Sequence, residues 1–464
     1  MALQNGYSIN STPLDESGDT TPLLKKEVVD VDDSVPPQCC SARCNLAIMM
    51  FFGFSVVYGL RVNLSVAMVA MVNGTNSQPS LNSSVGHECP VSSHGNNNSS
   101  QTPDQPDGIP QYSWDSPTQG LLLGAFFFGY LVTQIPGGYL AGHFGGSIFL
   151  GGGVLGTAAL TLLTPLAAQL GPYWLFGLRA LEGFGEGVTF PAMMAMWARW
   201  APPLERSRLM TLSGSGANFG AFVALPLTGF ICHSLGWPTV FYMCGGAGCI
   251  WAVFWFILVS DQPGTHPRIS TREKHYIINS IGKDGGAHGW SVPLLPMVLS
   301  VPLWAIIVSQ MCANWGYYTL LTSLPTYMDT VLHFDLRQNS FLSALPYLGG
   351  WAFAVISGVV ADSLLEKELL SVTAVRKIFT ITGLLLPAAF LVAVGYSGCS
   401  GVLAVTFLTL STTVGGTSAA GVFINQIDIA PRWVFIYLRC RHFTCFSSLL
   451  SLLTSLFWHV LDLH

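Results

Sequence analysis

Ten runs of roughly twenty or more predominantly apolar residues follow one another along this chain, at about 45–72, 117–141, 147–167, 173–198, 209–232, 238–259, 301–328, 339–361, 378–396 and 402–426. No other feature limits the fold as much. A bilayer core about 30 Å thick is crossed by about 20 residues of helix. Lipid offers the backbone no hydrogen-bond partner, so a crossing segment must satisfy its own amides. The expected class is an all-α polytopic membrane protein. Composition agrees, with 50% of the 464 residues apolar and only 9% charged, where soluble domains carry about 25% charge. Forty-nine glycines suit helices that approach one another closely in lipid. A formal net charge of −5 gives no basis for binding nucleic acid. The 11 cysteines are scattered without a CxxC pair, so neither a zinc site nor a disulfide scaffold is expected. No phosphate-cradling glycine loop and no nucleophile–base set is present, and neither an enzyme nor a cofactor is expected.

The runs fall into two sets. Residues 1–44 read as a disordered cytoplasmic tail, polar and acidic over 1–38 and without a cleavable signal peptide. A first unit of six spans occupies 45–259, and a polar linker, 260–300, carries Arg268, Arg272 and Lys274. A second, partial unit occupies 301–431, and 432–464 is an atypical tail. With the N-terminus in the cytoplasm and the loops alternating, 16 of the 19 Lys and Arg residues lie on the cytoplasmic side, two lie within spans and only Arg337 lies outside. The positive-inside rule selects this orientation. It makes loop 73–116, which has no Lys or Arg, luminal, and that loop holds sequons at Asn73, Asn82, Asn97 and Asn98. An Asn/Ser-rich flexible loop would contain such triplets by chance, as Asn10 and Asn63 show.

Charges inside spans cost about 2.5–3.5 kcal/mol each at a helix centre, which makes them functional candidates. Arg61 lies in the first span, and Arg179, Glu182 and Glu186 share one face of the fourth through spacings of three, four and seven. Arg61 reads as a fixed cation for a substrate carboxylate, suited by its planar fork, or else as a structural partner of Glu182 or Glu186. Glu186 is the better proton carrier, because Glu182 stands three residues from Arg179 and is placed to neutralise it. Tyr58, Asn63 and Tyr130 offer neutral hydrogen bonds. Asn314, Tyr317 and Tyr318, with Trp315 and Thr319, form an aromatic-polar cluster in the seventh span that serves either ligand binding or packing. Met193, Met194 and Met196 read as packing.

Longer motifs carry a resemblance. They are Arg61-Val62-Asn63-Leu64-Ser65-Val66-Ala67, Thr133-Gln134-Ile135-Pro136-Gly137-Gly138-Tyr139, Arg179-Ala180-Leu181-Glu182-Gly183 continuing to Glu186-Gly187-Val188-Thr189-Phe190-Pro191-Ala192, and Asp428-Ile429-Ala430-Pro431. Gly138 to His143 and Gly358 to Asp362 resemble the G-x-x-A-D signature after the second helix of each half. Over about 39–431 the chain resembles the anion:cation symporter branch of the major facilitator superfamily, and within it the lysosomal acidic-sugar carriers. The resemblance implies two six-helix halves with the substrate site near the midplane between them. It also implies symport of an organic anion, sialic acid or a related acidic sugar, with a proton out of the lysosome. Vesicular acidic amino-acid carriers and sodium/phosphate-type carriers of the branch are the alternatives. The vesicular glutamate carriers have an extra arginine in the seventh span that Cys312-Ala313-Asn314-Trp315 lacks. Met194 stands where acidic-sugar carriers have a histidine, and His143 where they have a lysine.

Asp19-Thr20-Thr21-Pro22-Leu23-Leu24 forms an acidic dileucine pattern. Asp19, Leu23 and Leu24 are expected to engage a clathrin adaptor and to send the protein to lysosomal or endosomal membranes, with plasma membrane or synaptic vesicle as alternatives. Beyond Pro431 the resemblance stops. Residues 422–464 hold none of the 49 glycines, and one apolar run, about Phe443 to Leu461, follows Arg432, Arg439 and Arg441. The expectation is about ten family-like helices plus one atypical segment, an incomplete second half, and so poor stability and no transport by the chain as written, with a family-like C-terminus restoring it. A transport-inactive isoform or membrane scaffold is the alternative of another class.

Overall fold

The computed structural model describes residues 41–72, 110–202, 205–281, 301–330, 336–397 and 400–425. The dileucine residues Asp19, Leu23 and Leu24, the sequons at Asn73, Asn82, Asn97 and Asn98, and the segment 426–464 lie outside them, as does the expectation of an incomplete second half. The described residues are helical throughout, with one isolated bridge between Val72 and Tyr112.

The first half contains α1 (Ala42–Met71), α2 (Ser116–Phe144), α3 (Gly146–Leu162), α4 (Thr164–Leu170), α5 (Pro172–Glu186), α6 (Thr189–Trp200), α7 (Arg206–Leu235) and α8 (Trp237–Leu258). A linker helix, α9 (Thr271–Ile281), leads to α10 (Val301–Thr330), α11 (Leu336–Glu366), α12 (Val372–Gly395) and α13 (Gly401–Gly415), the last followed by a π turn over Ala419–Phe423. Six of these helices are long and apolar enough to cross a membrane alone, and eight spans result when each of two bent pairs counts as one. The ten sequence runs all fold as helix, yet three are interrupted. Pro136 sits inside the second. The third bends by 47° between α3 and α4, where Pro165 at the start of α4 has no N–H to continue the ladder. The fourth breaks at Gly187–Val188 into α5 and α6, directly after Glu186.

Sequence chemistry sets the joints. The Ser41 hydroxyl caps α1 by accepting from the Cys44 N–H. Single glycines with φ of 108° and 84°, Gly145 and Gly236, turn α2 into α3 and α7 into α8, a backbone conformation that costs glycine nothing. α1 packs on α7, α2 on α5 and α3 on α8, and α7 crosses to α11 in the second half. Glycine makes these contacts close. A Cβ on Gly216 or Gly220 of α7 would lie 2.1 or 2.2 Å from the carbonyl oxygens of Phe51 or Ser55 in α1. Among the described residues α12 buries 6% of its most apolar window where α1 buries 61%.

One end of the bundle gathers the basic residues. Arg43 donates to Glu273 of α9 at 3.1 Å and pairs with Glu205 before α7, while the Glu273 carboxylate also accepts from the Ala42 and Arg43 amides. Arg199 at the end of α6 pairs with Asp261 and donates to the Gly142 carbonyl. Asp362 at the end of α11 accepts from the Arg208 amide at 2.7 Å, joining the halves at that same end.

Candidate substrate and proton site

Close packing of α2 against α5 builds the site. A Cβ on Gly183 would stand 1.9 Å from the Phe126 oxygen, and one on Gly129 1.8 Å from the Ala180 oxygen. Only glycine lets these backbones meet, and the meeting brings Phe126 and Tyr130 beside the end of α5, where Glu186 is fully buried. From α1, Arg61 enters this space with 8% of its surface exposed.

The Arg61 guanidinium is held on all sides. Its Nη2 pairs with Glu186 Oε1, and its Nη1 donates to the Tyr318 hydroxyl of α10 at 2.9 Å. Tyr58, Phe126, Tyr130 and Tyr318 place ring centroids 4.6, 4.8, 5.0 and 5.4 Å from its Cζ, so the quadrupoles of four rings face the cation. Arg61 therefore joins a carboxylate of the first half to a hydroxyl of the second. Glu186 Oε2 and Arg61 Nε have no hydrogen-bond partner among the described residues.

The three charges of α5 divide. Arg179 pairs with Glu182 at 2.5 Å, and Thr164 donates to Glu182 at 3.2 Å. Glu182 is thereby occupied within its own helix and by α4, while Glu186, four residues on, faces Arg61. Spacing points to the Arg179–Glu182 pair; that Arg61 meets Glu186 rather than Glu182 is decided by the packing of α1.

Between the halves lies a cavity of about 580 Å³. Tyr58, Tyr317, Tyr318 and Asn314 line it, with Phe190, Met193 and Met194 on the first-half wall. Arg61 and Glu186 are not on the wall. They lie behind Tyr58 and Tyr318, whose hydroxyl oxygens are 3.4 Å apart. Tyr130 sits under Arg61. Asn63 does not join the group: two residues from Arg61 is about 200° of helix turn, and its side chain lies beside Cys244 of α8. Met193 and Met194, read from sequence as packing, line the cavity, whereas Met196 is fully buried. Sequence reasoning missed Tyr347 and Asn218, which line the cavity from α11 and α7. Each is a polar group inside an apolar run, and that signal was available. Among the described residues no cluster of three or more His, Cys, Asp or Glu could hold a metal.

Residues 46–432 match the family model described as Major Facilitator Superfamily. The chain is 50% identical to human (Homo sapiens) sialin over 427 residues, 91% of this chain and 83% of that protein. It is 38% identical to human sodium-dependent phosphate transport protein 3 over 416 residues, 89% of this chain and 94% of that one. Among solved structures, a D-xylose-proton symporter shares the fold with a TM-score of 0.59 at 15% identity, covering 90% of each chain. The chain belongs to the Major Facilitator Superfamily, in its anion:cation symporter branch, and is a multi-pass membrane transporter rather than an enzyme.

Proposed function

We propose that this transporter couples a proton to the export of an organic anion, sialic acid or a related acidic sugar, from lysosomes or endosomes by alternating access. One observation carries the reading: a single buried guanidinium is bonded to Glu186 of the first half and Tyr318 of the second, behind the wall of the cavity between them. While Glu186 is ionised it neutralises Arg61. A proton from the acidic lumen cancels the carboxylate, frees the fork, and lets a substrate carboxylate take the place of Glu186. Proton and monoanion enter as a neutral pair, so the occupied site carries the same net charge as the empty one, and the rearrangement passes between halves through Tyr318. Of the two positions, Met194 and His143, at which this chain departs from the acidic-sugar carriers it resembles, Met194 is on the cavity wall. Arg179 and Glu182 are the supporting pair that keeps α5 in register. The N-terminus is cytoplasmic in this reading, loop 73–116 luminal and glycosylated, and Leu23-Leu24 the adaptor signal.

The test is uptake of labelled sialic acid by cells that carry the chain at their surface, with acid outside and glutamate or phosphate as competitors. Proton-driven uptake that sialic acid alone competes for is expected. Stronger competition by phosphate or glutamate would move the substrate to another class of the branch. Absence of any pH-driven uptake in a well-expressed chain would favour the transport-inactive reading, which rests on the glycine-free segment 422–464.

A further inference from the structure

Away from Arg61, three polar atoms at the cavity lack any hydrogen-bond partner among the described residues: the hydroxyls of Tyr347 and Tyr317 and Oδ1 of Asn218. They come from three helices and meet in one region. The Tyr317 and Tyr347 rings are edge to face with centroids 6.1 Å apart. Asn218 of α7 faces α11 one turn after Tyr347, since a Cβ on Gly350 would lie 3.4 Å from its Nδ2. Tyr347 is 1% exposed. Packing alone gives no reason for such an arrangement, because a phenylalanine would fill each tyrosine's place without an unpaired hydroxyl, and buried polar groups left unpaired are rare in folded proteins. Convergence at the wall of a cavity supplies the reason.

The chemistry of the missing partner follows from the wall. Among the described residues none that lines the cavity is Lys, Arg, His, Asp or Glu, which suits an uncharged group. Two hydroxyls that both donate and accept, with one amide oxygen that accepts, suit hydroxyl or amide groups. We propose that Tyr347, Tyr317 and Asn218 form a second, neutral recognition pole that reads hydroxyl or amide groups on the far end of the anion whose carboxylate goes to Arg61. The inference rests on the anion reading above and deepens it. Arg61 selects the charge, and the second-half pole selects what the charge is attached to. Phe190 and Met194 on the same cavity wall offer apolar surface to a ring.

Binding to the full-length chain purified in detergent tests this, followed by thermal stabilisation with two six-membered-ring monocarboxylates. Glucuronate carries ring hydroxyls, and cyclohexanecarboxylate carries none. In Tyr347→Phe the affinity for glucuronate should fall about tenfold, the value of one hydrogen bond, while that for cyclohexanecarboxylate stays within about twofold. Tyr317→Phe, which also keeps its ring, should give the same pattern and serves if the first variant does not fold. Equal weakening of both acids, or no change in either, overturns the neutral pole. The anion reading survives that result as long as Arg61→Lys abolishes binding of both acids. If the wild-type chain binds neither acid, the anion reading falls and the pole with it.

Discussion

Replacing Glu186 by Gln keeps the size and outline of the side chain while removing its charge and its proton. Glu186 is fully buried and is the carboxylate paired with Arg61, whereas Glu182 is taken by Arg179. On the proposal that Glu186 carries one proton with each anion, the driving force follows from the pH gradient. Each pH unit is worth about 1.36 kcal/mol, so a gradient of about two units supplies about 2.7 kcal/mol, enough for about 100-fold accumulation of a monoanion moving electroneutrally. Glu186→Gln is locked in the form equivalent to the protonated side chain. Arg61 then stays free for substrate in both orientations, so exchange of labelled for unlabelled anion persists while accumulation falls from about 100-fold to about onefold. Removing one member of a buried pair costs about 3–5 kcal/mol of stability, and the four rings around Arg61, with the hydroxyl of one of them, Tyr318, offset part of it. Folding should therefore be checked by thermal unfolding of the purified variant. The assay compares counterflow with gradient-driven uptake in proteoliposomes. A folded variant that still concentrates substrate with unchanged pH dependence would refute the assignment of the proton to Glu186.

Three further outcomes follow from the same geometry. Arg61→Lys should lose at least about 100-fold in transport, because one ammonium cannot reproduce a planar fork that holds Glu186 and Tyr318 through separate nitrogens; wild-type affinity for the anion in that variant would make Arg61 purely structural. Gly183→Ala puts a Cβ 1.9 Å from the Phe126 oxygen and should destabilise by about 1–3 kcal/mol or more, whereas Gly177→Ala on the same helix meets nothing within 4 Å and should be tolerated; equal melting temperatures for the two would remove the close α2–α5 seam. Leu23→Ala with Leu24→Ala should shift the protein from lysosomes to the plasma membrane, and an unaltered overlap with a lysosomal marker in fluorescence microscopy would count against the adaptor signal.

Much of the fold is present in the sequence because lipid makes the backbone problem local. Each apolar run must close its own hydrogen bonds, so length and hydropathy are enough to locate helices. The same cost of burying charge singles out Arg61, Arg179, Glu182 and Glu186, and helical spacing puts the last three on one face. Spacing within a helix is silent about what stands opposite. That Glu182 turns to Arg179 is legible in their spacing of three, whereas the meeting of Glu186 with Arg61 of α1 joins residues 125 apart in the chain. Asn63 shows the limit from the other side: adjacent in sequence to the site, it is carried by the helical turn to α8. Tyr347 and Asn218 are isolated polar residues in apolar runs, and only the meeting of α7, α10 and α11 brings them to one cavity. Local chemistry determines which residues are costly to bury, and the packing of distant helices decides which of them answer one another.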